Sequence, residues 1–185
     1  MHLPLLALLL FLPMLAQAHG LHDHGGGWLA GLIHPLLGLD HLLTALAVGL
    51  WAGTATGWAR LALPLGFTLA MLLAAAVGHG GSSSLAPWIE PGIASSLLAL
   101  GLMLAMRVPP HPLLAAPLLV LLAVTHGLAH GAEGPADGLT AYLTGLGATT
   151  LGLHLAGLTL ARLLPADITR LAGAGVLGSG LWALF

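Results

Sequence analysis

The sequence predicts an all-α membrane protein, a bundle of six transmembrane helices behind an N-terminal signal peptide. Three observations carry that expectation. First, 58% of the 185 residues are hydrophobic and only 5% are charged, whereas a soluble domain carries about 25% charged residues. Second, six apolar segments follow the leader, and each can cover a hydrocarbon core that needs about 20 helical residues. Third, all four arginines, Arg60, Arg107, Arg162 and Arg170, fall in alternate breaks between those segments. Open strands would leave backbone groups unpaired in lipid, so the segments are read as helices.

Residues 1–18, MHLPLLALLLFLPMLAQA, read as a signal peptide. The apolar stretch is short, and Ala16-Gln17-Ala18 has the small-x-small form of a cleavage site. Residues 19–27 form a His- and Gly-rich arm, and residues 28–185 hold the transmembrane domain. Its spans are expected near 28–52, 61–80, 91–107, 113–132, 138–161 and 168–185, separated by breaks rich in Gly, Pro, Ser or charge. By the positive-inside rule the arginine-bearing side is cytoplasmic. That places the protein in a bacterial inner membrane with the mature N-terminus and the C-terminus both periplasmic, in agreement with the leader. Gly173, Ala174, Gly175, Gly178, Ser179 and Gly180 crowd the last span, as expected where membrane helices pack closely.

Composition also excludes. There is no Cys, so disulfides, thiolate metal sites and thiol redox pairs are ruled out. The net charge of −2 and the lack of a basic patch give no footprint for nucleic acid. The lipid bilayer is the surrounding partner; a homo-oligomer or an accessory subunit stays open. Histidine is the anomaly, with 11 residues against six acids.

Ionisable groups inside a membrane are expensive and mark functional paths. The first span carries His34, Asp40 and His41 in HPLLGLDH. On an unbroken helix, His34 and His41 would lie about 10 Å apart along the axis, too far to share one metal. Asp40 would point about 120° away from His34. One ion therefore needs a bend or ligands from other helices. Pro35 removes a backbone donor and Gly38 favours departure from regular helix, so a local opening is expected there.

The fourth span carries His126, His130 and Glu133 in THGLAHGAEG. The spacings of four and three put them on one helical face, where two His can grip one divalent ion. Glu133 serves either as a third ligand or as a partner orienting a histidine. His79 and Glu90 fall at the periplasmic ends of their spans, and Glu90 also suits a helix start ahead of Pro91. His154 lies in the inner half of the fifth span and is either a ligand or an interhelical hydrogen-bonding group. His19, His22 and His24 on the arm would collect metal outside the membrane. His111, beside three prolines in a cytoplasmic loop, reads as structural. The candidates spread from the periplasmic mouth past the midplane, as along a path.

The same residues carry a resemblance. HPLLGLDHLLTALAVGLWA resembles the first-helix signature HPxxGxDHxxxMxxVGxW of the HupE/UreJ family. VTHGLAHGAEGP resembles its fourth-helix HGxAHGxE motif, and EPGIASSLLALGL and YLTGLGATTLGLHLAGL resemble its third and fifth helices. The likeness covers nearly all of the mature chain, in order. It implies a permease for Ni²⁺, with Co²⁺ as a further substrate, supplying metal for hydrogenase or urease maturation. It also implies metal-handling roles for His34, Asp40, His41, His126, His130 and Glu133. The chain departs from the pattern at Thr44-Ala45, where the family often has Met, and at Thr125, where an aromatic is common.

Imidazole suits Ni²⁺, Co²⁺, Zn²⁺ and Cu²⁺, and the choice of Ni²⁺ over Zn²⁺ comes from the resemblance. No nucleotide-binding GxxxxGK[ST] motif is present, so transport is passive, ion-coupled or driven by a partner. Three alternatives remain on the residues alone. One is an intramembrane zinc hydrolase with Glu133 as base, one is a bis-His haem protein, and one is a metal sensor or chaperone that binds without transport.

Overall fold

A computed structural model describes residues 27–80 and 86–185. The expected signal peptide, and the arm with His19, His22 and His24, lie outside the described residues. Among those described, the chain is all-helical. The elements are α1 (Trp28–Leu37), α2 (Leu39–Gly53), α3 (Ala59–Gly78), α4 (Ala86–Ala105), α5 (Pro112–Ala132), α6 (Leu139–Leu163) and α7 (Ala166–Trp182).

Helices α3, α4, α5 and α6 are each long and apolar enough to cross a membrane, and α1 with α2 make a fifth span if the bent pair is counted as one. The surface of α3 shows why lipid is its solvent. Leu61, Leu65, Leu69, Leu73 and Val77 recur every fourth residue and are exposed, while Leu63, Phe67, Met71 and Ala75 are buried on the other face. A helix apolar on both faces belongs in a membrane or a large core.

The opening expected at Pro35 and Gly38 is present, and one expectation about helix starts needs correction. The first span is a pair of helices. It breaks at Gly38, which is extended (φ −87°, ψ 115°), and the two halves bend by 86°. The break follows Pro35, whose missing N–H removes a hydrogen bond in the last turns of α1. The third span does not start at Pro91. Helix α4 begins at Ala86 and runs through Pro91, whose missing donor costs one bond near the helix end. Glu90 therefore lies within the second turn of α4. The last helix, α7, has 17 residues, about one turn short of a full span at ~1.5 Å per residue.

Packing pairs α3 chiefly with α5, α4 with α7, and both α1 and α2 with α6. Glycines permit the closest approaches. A Cβ at Gly127 or Gly131 would run into the α3 backbone at Met71 and Ala75, and one at Gly49 or Gly157 would collide across the α2–α6 contact. In α7, Gly173 and Gly180 meet α4 as the small-residue pattern suggests, whereas Gly175 and Gly178 face open space.

The turns bearing arginine gather at one end. Arg60 donates to Ala55 O at 3.0 and 3.2 Å, and Arg170 donates to Ala105 O at 3.3 Å. Thr54, Arg107, Leu164 and Ala166 share a cavity of about 260 Å³ there. Trp51 closes its wall by donating Nε1–H to Val108 O at 2.7 Å.

Candidate metal centre

The opposite end holds a group of histidines from α1, α2 and α5. The break at Gly38 lets α1 and α2 present His34 and His41 from two directions. The two rings are 6.1 Å apart between centroids, well inside the separation a straight helix would impose. A Cβ at Gly38 would sit 2.7 Å from the His41 ring and 2.9 Å from the Asp40 carboxylate, so this position must stay bare for both side chains to hold their places.

Helix α5 is unbroken here and supplies His126 and His130 from one face. His130 lies 4.9 Å from His34 and 4.3 Å from His41 between ring centroids, and His126 lies 5.2 Å from His41. Glu133 follows the last turn of α5, and its Oε2 accepts from His34 Nε2 at 3.0 Å. Burial pushes the Glu133 carboxyl up, but the His34 hydrogen bond and nearby imidazole charge outweigh it and hold the group below the usual carboxylate range. The four imidazoles of His34, His41, His126 and His130 thus form one continuous group, with Glu133 at its outer edge.

Within it, ligand atoms of His34, His130 and Glu133 all lie within 4.8 Å of one another. Two imidazoles and a carboxylate make a mixed N/O donor set suited to borderline divalent ions. The three differ in depth: Glu133 is exposed, His34 half-buried and His130 buried. Deeper in, a cavity of about 10 Å³ is lined by His41, His126, His130, Thr44, Phe67 and Thr150, about the room one water occupies.

Buried polar atoms normally find partners, and those that do not need an explanation. Here six lack one among the described residues: His41 Nδ1, His79 Nδ1, His126 Nε2, His130 Nδ1, Tyr142 Oη and His154 Nε2. Five are imidazole nitrogens with nothing to bind, gathered in or near one group of histidines.

The other expected residues fall at various distances from this convergence. Asp40 does not join the three-residue set; its Oδ1 accepts from the His41 backbone N–H at 2.9 Å, and its Oδ2 lies 4.0 Å from His41 Nε2. His79 stands after the end of α3, next to the turn that follows Glu133, where a side chain at Gly134 would contact its ring. Glu90 is exposed on α4. His154 is fully buried, and its Nδ1 bonds Ala45 O across helices at 2.8 Å.

Three neighbours escaped the sequence reading. Tyr142 packs its ring 5.7 Å from His34. Phe67 touches both His126, at 6.0 Å, and His154, at 5.3 Å. Thr44, at a position of departure from the family pattern, shares a buried hydrogen bond with Ser96 at 3.3 Å. Phe67 had one available signal: with Leu63, Met71 and Ala75 it completes the face of α3 opposite the leucine stripe. Thr125, the other departure, donates to Leu122 O at 2.9 Å and lies where a Cβ at Gly92 would strike it, so it serves the α4–α5 contact.

Comparison with known proteins agrees with this geometry. A family model described as HupE / UreJ protein matches residues 6–183. The chain is 40% identical over 156 residues to "Protein HupE" of Rhizobium leguminosarum bv. viciae, a match covering 83% of this chain and 80% of that protein. No solved structure gives a significant match. With the family model spanning almost its whole length and the signature histidines meeting in one group, the chain belongs to the HupE / UreJ protein family.

Proposed function

We propose that the chain is an inner-membrane permease that carries divalent nickel, with cobalt as a secondary substrate, from periplasm to cytoplasm for hydrogenase or urease maturation. The observation that carries this reading is the convergence of His34, His130 and Glu133, continued inward by His41 and His126, inside a bundle whose outer faces are leucine. A structural metal would need one closed set of donors. Donors staged from an exposed carboxylate to buried imidazoles suit an ion in transit. Asp40 places a carboxyl group beside His41, at the edge of the donors. Nickel over zinc rests on the family, since this donor set accepts either.

In this reading α1 and α2 together make one broken span and α7 makes the sixth. Unwound backbone at membrane depth is tolerated where it lines a polar site. The arginine end is cytoplasmic, the histidine end faces the periplasm, the leader is cleaved after Ala18, and His19, His22 and His24 gather metal at the mouth.

The test is radioactive nickel uptake into proteoliposomes by wild type, His130→Ala and Asp40→Ala. Protein-dependent accumulation lost in both variants is the expected result. Tight, His130-dependent binding without accumulation would turn the reading toward a sensor or chaperone. Zinc retained at one per chain together with lipid or amide cleavage would turn it toward a hydrolase.

A further inference from the structure

His154 stands apart from the group at the mouth. It lies twelve residues beyond Tyr142 on α6, about 18 Å further along that helix at ~1.5 Å per residue, toward the arginine end. It is completely buried. The Gly49–Gly157 contact brings α2 and α6 together so closely that the His154 ring reaches Ala45 O.

That bond accounts for one ring nitrogen. An Nδ1–H donated to a backbone carbonyl fixes the tautomer and leaves Nε2 as a bare lone pair. The Nε2 of His154 is buried and has no hydrogen-bond partner. His126 has the same arrangement: its Nδ1 bonds Leu122 O at 3.1 Å and its buried Nε2 has no partner. Metal-ligating histidines are held in this way, with the far nitrogen tied to a carbonyl and the near one free. A histidine that served only to join α2 and α6 would have its function met at Nδ1, and a buried, unpaired Nε2 would be a pure cost.

The two imidazoles are joined by one side chain. The Phe67 ring packs against His126 and, edge to face, against His154. Thr150, one turn from His154 on α6, lines the same small cavity as His41, His126 and His130. The histidine group and His154 are therefore consecutive along the bundle, with Phe67 between them in contact.

We propose that His154 Nε2 is a further ligand for the transported divalent ion, a station deeper than the group at the mouth and reached from His126. This deepens the permease reading and rests on it for the identity of the ion. Its ligand class is a borderline divalent cation, as the imidazole donor requires.

The test uses His154→Asn in the full-length protein. Asparagine keeps an N–H able to reach Ala45 O and removes the imidazole. The expected result is an initial rate of Ni²⁺ uptake into proteoliposomes lower by about tenfold or more. Ni²⁺ affinity of the detergent-solubilised variant, set by the mouth group, should stay within about twofold of wild type on the same scale. A wild-type uptake rate overturns the proposal. The second measurement needs no variant: ¹⁵N resonances of histidine-labelled wild type titrated with Zn²⁺ as a diamagnetic probe. Direct ligation displaces the His154 Nε2 resonance strongly. A resonance unmoved at saturation overturns the proposal even if His154→Asn does not fold. Failure of the permease reading looks different, because wild type itself then accumulates no nickel while the Nε2 resonance still reports whether His154 takes metal.

Discussion

Two regions assemble the same histidine group by opposite means. Helix α5 does so with regular geometry: His126 and His130 share a face because they are four residues apart, and Glu133 extends it past the last turn. The α1–α2 segment does so by abandoning regular geometry, breaking at Gly38 so that His34 and His41, which a straight helix would hold apart, converge on His130. The comparison teaches that a continuous helix offers donors at fixed intervals along a line. A broken one can bring two donors to the same ion from different directions, provided nothing fills the break.

The sharpest way to break the comparison is His130→Ala, which removes the side chain to which both halves of the broken span are directed. Nickel uptake in proteoliposomes should fall to the level of protein-free vesicles. Next in size is Gly38→Ala, which changes no ligand. The added methyl collides with the His41 ring and the Asp40 carboxylate, so Ni²⁺ affinity by equilibrium titration should weaken about 10- to 100-fold, the range typical of displaced supporting groups. An unchanged affinity would mean that the break itself does not position the ligands.

Glu133→Gln should cost about tenfold in uptake, because it leaves His34 with a neutral partner. It also sharpens the pH behaviour. Protons compete with metal for every donor, so uptake falls on acidification. Glu133 is held ionised below the usual carboxylate range by its His34 partner, so its protonation does not account for a loss of uptake at mildly acidic pH. A loss of uptake at mildly acidic pH should therefore persist in Glu133→Gln even as the rate drops. The smallest effect belongs to His111→Ala. His111 is exposed at the far end of α5 and makes no side-chain cap. Its loss should leave uptake unchanged and stability within about 0.5 kcal/mol, measured by thermal unfolding.

Much of this was legible in the residues. The α5 donors follow from spacing alone, and the need for a bend followed from placing His34 and His41 on an ideal helix and finding them too far apart. Pro35 and Gly38 marked where it would fall. The 86° angle was not legible, because neither residue fixes a direction; the packing of both halves against α6 does. The pairing of His34 with Glu133 was also beyond the sequence, since they are 99 positions apart (133 minus 34) and meet only through tertiary packing. The start of α4 was misread because Pro91 suits the first turn of a helix, whereas the helix already begins at Ala86 and runs through it. The face pattern of α3 marked Phe67 as buried but gave it no role, and Thr150 gave no signal at all, because an apolar ring or a lone threonine in a membrane span carries no chemical signature until its neighbours are known.

The graded exposure of Glu133, His34 and His130 has a consequence for desolvation. A divalent ion holds its water tightly, and stripping the whole shell at once would set a barrier no single ligand could offset. Donors arranged in depth allow waters to leave one or two at a time, each replaced by an oxygen or a nitrogen before the next departs. In the permease reading the mouth of this bundle would act as a staircase for dehydration. Its selectivity would lie in how fast an ion exchanges its waters as much as in how tightly it is finally held.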